Sequence, residues 1–263
     1  GAEKMTEVPT PVATEIMGKG GDAIWEYPFG MSFPGYYAMI AQAHMAAFGT
    51  TEEHLAMVAV KNHFYGSQNP LAHMQKEITL EKALGSFMVA YPLKLYDCSL
   101  ITDGAAAILL TNEERARDFA KPPIWIEGIG TATDTMRIAE REKLHTLQAS
   151  VIAGKEAYQM AGVTPKDIDV ATVHDCFTIA EICAYEDLGF CSKGEGGPFI
   201  ADRQTYIGGD IPVNVDGGLK SKGHPVGATG VAMAVEITKQ LRGECGSRQV
   251  PGAGIGLTHN VGG

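Results

Sequence analysis

From residue 124 onward the chain alternates short apolar runs with amphipathic stretches, and that alternation restricts its fold more than any other feature. Residues 124–129, 170–173 and 254–257 read as strands. Residues 146–161, 178–188 and 228–241 read as helices, the first stopped by Gly162 and the last ended near Gly243. An apolar strand face has to be covered, and helices interleaved with strands cover it, so the pattern specifies an α/β layer fold. Ligands in such folds collect where strands end and helices begin.

The first half is less regular. Gly18, Gly20, Gly21, Pro28, Gly30, Pro34 and Gly35 alternate with Trp25, Tyr27, Phe29 and Phe33, which reads as an ordered loop with buried aromatics. Residues 37–48 and 52–61 follow as helices, the second opened by Thr51 as an N-cap, and 105–110 reads as a buried strand. The Lys121-Pro122-Pro123 break divides the chain into expected units 1–120 and 121–263. With 263 residues and 45% hydrophobic side chains there is material for a real core. A net charge of -10 argues against a general nucleic-acid surface. The five cysteines are odd in number and lack paired metal spacing, so neither a disulfide framework nor a metal site is expected. No apolar run reaches the roughly 18 residues of a membrane span, and the first residues lack a signal-peptide layout, so a soluble cytoplasmic protein is expected.

Three clusters sit at element boundaries. Residues 214–230 place His224 between a glycine-rich loop and a helix, where Gly217, Gly218 and Gly223 allow positive φ and close approach of a ligand. His174-Asp175-Cys176-Phe177 lies where a strand hands over to a helix, and the helix dipole there favours a thiolate, so Cys176 is expected to have a lowered pKa. Thr258-His259-Asn260-Val261-Gly262-Gly263 closes the chain, and its paired glycines can turn N–H groups toward an oxyanion. Each has a bland alternative: a turn-capping histidine, a buried inert cysteine, a plain Gly-Gly turn.

Together and in this order the clusters resemble the thiolase family, most closely its archaeal and sterol-carrier-protein-type branch. Gly223-His224-Pro225 is the family's histidine loop, and residues 214–218 are close to the family pattern ahead of it. In this branch His-Asp-Cys-Phe, here His174 to Phe177, replaces Asn-Glu-Ala-Phe, and His259-Asn260-Val261-Gly262 stands where other thiolases have Cys-x-Gly. The likeness runs through the whole chain, including residues 1–6, Lys61-Asn62-His63 and residues 103–106.

The resemblance implies a layered αβαβα fold, here without its N-terminal block and last strand, and the chemistry of an acyl-CoA acyltransferase. His224 would activate the nucleophilic cysteine and help form a first oxyanion hole, and His174 would hold the water completing it. Cys176 would be the acid and base at the α-carbon, and the Gly262 N–H would belong to a second hole. Asn260, Tyr36 and Tyr37 would contact substrate, with packing of a loop as the alternative for the two tyrosines; Lys220 and Lys222 flank the loop, where solvated lysines are the commoner case and contact with phosphates the alternative. The resemblance puts the nucleophilic cysteine upstream of the segment like residues 1–6, and none of Cys98, Cys176, Cys183, Cys191 and Cys245 replaces it. The implied reaction interconverts acetoacetyl-CoA and acetyl-CoA with no cofactor and no metal. A catalytically silent acyl-CoA-binding or scaffolding subunit, or an aldolase of the same fold, stays open. A homo-oligomer and a zinc-ribbon/OB-fold partner that handles acyl-CoA are further expectations from the resemblance.

Overall fold

A computed structural model describes residues 1–119 and 121–262. Two expectations touch residues outside that set: the boundary at Ala120 and the second of the paired glycines, Gly263. In chain order the elements are β1 (Ala2–Glu3), α1 (Thr10–Gly18), α2 (Phe33–Phe48), α3 (Glu52–Ser67), α4 (Leu80–Leu84), β2 (Met88–Ala90), β3 (Leu93–Lys94), β4 (Gly104–Ala105) and α5 (Glu113–Ala116). After these come α6 (Gln148–Ala161), β5 (Val170–Val173), α7 (Thr178–Asp187), α8 (Gly196–Ala201), α9 (Val226–Leu241) and β6 (Gly256–His259).

The helices begin and end where side-chain chemistry dictates. Thr51 accepts a hydrogen bond from the His54 N–H and so caps α3, whose first turn carries Glu52 and Glu53. Gly49 ends α2 at φ 76° and Gly162 ends α6 at φ 69°, each returning its N–H to the preceding turn. β5, buried along its whole length, pairs in parallel with β6, Val170 opposite Gly256 and Val173 opposite His259. On its other side Ala171 pairs in parallel with Val213. Helix α9 packs on β5 and β6, and α3 packs on α7 and α8. One main core joins both halves: Tyr37, Leu55 and Val58 meet Val173, Ile179, Ile182 and Leu219.

Three expectations are corrected. The run 105–110 forms a strand only at Gly104–Ala105, paired with β1, and Leu109 and Leu110 are exposed. Residues 124–129 form no strand, and Trp125, Ile126 and Ile129 are exposed. An apolar run signals burial, but a strand also needs a hydrogen-bonding neighbour, and among the described residues neither run has one beyond β1. The second run instead leads into close backbone packing on α6: a Cβ at Gly130 would stand 1.9 Å from the Ala153 carbonyl oxygen. In the loop of residues 18–35, Trp25 and Phe29 are exposed, not buried. What orders that loop is the buried carboxylate of Glu26, which accepts from the Tyr36 hydroxyl at 2.6 Å and the Ala139 N–H at 3.1 Å.

None of the described helices is long and apolar enough to cross a membrane. Leu55 is fully buried at the centre of the core, so Leu55→Ala should cost about 2–5 kcal/mol. Thr51→Ala, which loses only a cap, should cost about 1 kcal/mol. Urea denaturation of the two variants, giving the larger drop in midpoint for Leu55→Ala, checks both.

Candidate active site

Two parallel strands and a bridged segment point the same way. β5 pairs with β6 and, through Ala171, bridges in parallel to Val213, and the residues that follow Val213, β5 and β6 are Asn214, His174 and Asn260. The three sequence clusters therefore leave the sheet side by side, at the carboxyl ends where a crevice forms.

The histidine loop is bent by its backbone. Asn214 sits at φ 53°, with its side chain accepting from the Val173 N–H at 2.9 Å and donating to Glu181 at 2.9 Å. Gly217 and Gly218 follow at positive φ, residues Gly218–Lys222 wind as a π-helical turn, and Gly223 at φ 113° swings the chain into His224. Thr102 fills the space a side chain at 223 would need, its Oγ1 lying 2.8 Å from where the Cβ would be.

Hydrogen bonds fix the protonation of the ring. His224 Nδ1 lies 2.7 Å from Thr229 Oγ1, and that hydroxyl gives its one proton to the Pro225 carbonyl at 3.0 Å. Thr229 can then only accept, so Nδ1 carries the hydrogen and Nε2 presents a lone pair. Burial, reinforced by the neighbouring His174, pushes the His224 pKa down to about 3, so the ring is neutral at physiological pH. His174 meets it edge to face, with ring centroids 5.0 Å apart and planes at 83°. Its Nδ1 donates to Asn260 Oδ1 at 3.0 Å, and burial lowers its pKa to about 4. Two neutral imidazoles with acceptor Nε2 atoms thus share the crevice. A third buried ring, His259, is held by Ser150 at 2.8 Å from its Nε2, while its Nδ1 has no partner.

Cys176 departs from the expected thiolate. Burial pushes its thiol up to about 12, against an opposing pull from the Tyr37 hydroxyl beside it. The dipole of α7 is outweighed because the thiol is enclosed by apolar neighbours, with desolvation the largest influence. Tyr37 is itself buried and stacks on Phe177 with centroids 4.6 Å apart. Tyr36 serves a different place: its hydroxyl donates to Glu26 and accepts from the Asp22 N–H at 3.1 Å, inside the loop ahead of α2. Gly262 follows Asn260 by two residues and is exposed.

The lysines are also a correction. Lys220 is fully buried, donating to the carbonyls of Asp97 and Cys176 with its ammonium 5.6 Å from the Phe177 ring centre. Lys222 pairs with the buried Asp216. Both pin the loop from within, because an ammonium that loses water must find oxygen acceptors. Thr229 had no distinguishing mark in the sequence beyond its place one turn after the Gly-His-Pro element. A cleft of about 950 Å³ borders the loop at Lys222, Gly223 and Pro225, but His174, Cys176 and His224 do not line it.

Residues 130–263 match the family described as thiolase C-terminal domain-like. The whole chain is 49% identical to an acetyl-CoA acetyltransferase of Methanothermobacter thermautotrophicus and spans 68% of that protein. It is 36% identical to sterol carrier protein 2 of Bos taurus, spanning 50% of that protein.

The chain belongs to the thiolase family.

A solved Ltp2-ChsH2(DUF35) aldolase superposes on this thiolase-family chain with a TM-score of 0.76 at 31% identity, over 87% of this chain and 60% of that one. The α/β arrangement is therefore the thiolase-like fold, and the family is one of acyl-transferring enzymes.

Nitrogen NMR of labelled histidines tests the site directly. His224 and His174 should stay neutral from about pH 8 to about pH 5, with His224 protonated at Nδ1. Thr229→Val should abolish that tautomer preference. A titration step near pH 6.5 for His224 would contradict the geometry.

Proposed function

We propose that this chain carries the acid–base machinery of a thiolase that interconverts acetoacetyl-CoA plus CoA with two acetyl-CoA. One observation supports it above others: a neutral His224, its Nε2 lone pair free, stands in edge-to-face contact with His174, on the turn that carries a protonated Cys176. A base for a thiol and an acid for a carbanion are the two proton carriers that such a reaction needs.

In the cleavage direction His224 takes the proton of the nucleophilic thiol, and the thiolate attacks the keto carbon. His224 and a water on His174 Nε2 meet the developing oxyanion. The carbon–carbon bond breaks, the acetyl group stays on sulfur, and the departing enolate of acetyl-CoA takes the Cys176 proton. Cys176 then recovers a proton from the thiol of incoming CoA, whose sulfur displaces the acetyl group, with the Gly262 N–H at the thioester oxygen, and the expelled thiolate takes its proton back from His224. A thiol kept neutral by burial is suited to giving that proton. None of the five cysteines is suited to be the nucleophile, because burial raises every one of their pKa values. The family resemblance assigns the nucleophile to a segment ahead of residues 1–6.

Asn260, which orients His174, and Tyr37, which lies against Cys176, border the acyl group in this reading, and Tyr36 supports the loop ahead of α2. The units 1–120 and 121–263 are proposed as the remainder of the first family half and the second half. CoA thioesters are substrates, and no cofactor or metal takes part. A homo-oligomer in the cytoplasm is part of the proposal, and the ChsH2(DUF35) named with the solved aldolase motivates an acyl-CoA-handling partner of zinc-ribbon/OB-fold type. The same structure motivates the second reading, an aldolase.

The full-length protein should acquire an acetyl adduct on one cysteine when mixed with acetyl-CoA and should cleave acetoacetyl-CoA only with CoA. His224→Ala should lower that rate about 10²–10⁴-fold. A wild-type rate in His224→Ala, read by loss of acetoacetyl-CoA absorbance, would overturn the assignment. Absence of the adduct together with cleavage of a 3-hydroxyacyl-CoA would favour the aldolase, and absence of both the silent subunit.

A further inference from the structure

Between the two proton carriers' turns lies a single carboxylate that the chemistry above leaves unused. Asp175 stands between His174 and Cys176 in sequence and is wholly buried. Its Oδ1 accepts the Leu219 N–H at 2.7 Å, and its Oδ2 accepts the Lys220 N–H at 3.3 Å and the Asn62 amide at 2.8 Å. The first two donors belong to the π-helical turn of the histidine loop, whose last residue is two positions before His224. The loop is shaped for this approach: a Cβ at Gly218 would stand 2.4 Å from Asp175 Oδ2, and Gly218 holds φ 54°.

The carboxylate is in turn held from behind. Asn62 on α3 also donates to Glu181 Oε2 at 2.7 Å, and Glu181 on α7 is paired with the buried Lys61 and accepts from Asn214 at the root of the loop. Burial, reinforced by the Glu181 charge, pushes the Asp175 carboxyl up to about 7, against the weaker pull of Lys220 and the Leu219 amide. Packing alone could fix a glycine-rich loop without a buried carboxyl group, which is costly to desolvate unless it is hydrogen-bonded. What the carboxyl group adds is direction: N–H donors aimed at its two oxygens set both the distance and the angle between the two turns.

We infer that Asp175 is a positioning residue, a clamp that sets the placement of the His224 imidazole relative to the Cys176 thiol by tying the π turn of the histidine loop to the His174–Cys176 turn. Its kinetic consequence rests on the acyl-transfer reading; its structural consequence does not.

Asp175→Asn in the full-length protein keeps shape but turns one acceptor into a donor facing another donor. Amide hydrogen exchange over residues 218–224 should speed about tenfold or more, with α9 unchanged, because a loop N–H loses its acceptor oxygen. For acetoacetyl-CoA thiolysis, kcat should fall about tenfold or more with KM within about twofold, as expected when orientation and not binding is damaged. If Asp175→Asn does not fold, Gly218→Ala serves, since it leaves the carboxylate intact and pushes the turn away from it; the same pair of changes is expected. A folded variant with wild-type exchange in 218–224, or with faster exchange and an unchanged kcat, or with a change in KM alone, overturns the clamp. If the wild-type protein shows no thiolysis yet Asp175→Asn frees the 218–224 amides, the acyl-transfer reading fails and the structural clamp stands.

Discussion

The parallel pairing of β5 with β6 and its parallel bridge to the Val213 segment are the constraint on which the rest of the site depends. β5 hydrogen-bonds to β6 on one side and to the Val213 segment on the other, and parallel pairing makes all three end on the same edge. Segments far apart in sequence, beginning at His174, Asn214 and Asn260, are thereby delivered to one crevice. Turning any one strand around would send its cluster to the opposite end of the sheet. Helix α9 packs on both β5 and β6, and β5 is buried along its whole length.

Water exclusion then decides the protonation states. An imidazolium or a thiolate is stabilised by solvent, and at His174, His224 and Cys176 solvent has been replaced by side chains. The rings become neutral bases and the thiol a reluctant acid. The cost of burying charged groups nearby is offset by pairing: Lys61 with Glu181, Lys220 with two carbonyls, Lys222 with Asp216, Asp175 with three N–H donors. Single neutral partners, Thr229 and Asn260, settle which nitrogen of each ring is free.

Much of this was legible from the chain alone, and the limits have physical reasons. The helix ends at Gly49 and Gly162 and the cap at Thr51 depend on neighbours within a turn, so composition reveals them. β5 was visible because it is buried on both faces, and β6 is displaced by two residues from the expected 254–257 because apolar character does not fix where a ladder begins. The runs 105–110 and 124–129 read as strands for the same apolar character and are not strands in most of their length. A strand is a relation between two segments, and a one-dimensional pattern reports only one of them. Trp25 and Phe29 misled similarly, because a buried Glu26, not a ring, organises their loop.

The sequence by itself determined the α/β class, the family, and the three clusters proposed for the site, since these follow from local periodicity and from motifs a few residues long. Only the tertiary structure decided that the His174 and His224 rings meet edge to face and that burial keeps Cys176 a thiol and not a thiolate. It alone decided that Lys220 faces inward, that Thr229 sets the His224 tautomer and that Asp175 reaches across to the histidine loop. Each of these depends on desolvation or on a hydrogen bond between distant segments, and both are properties of packing in three dimensions.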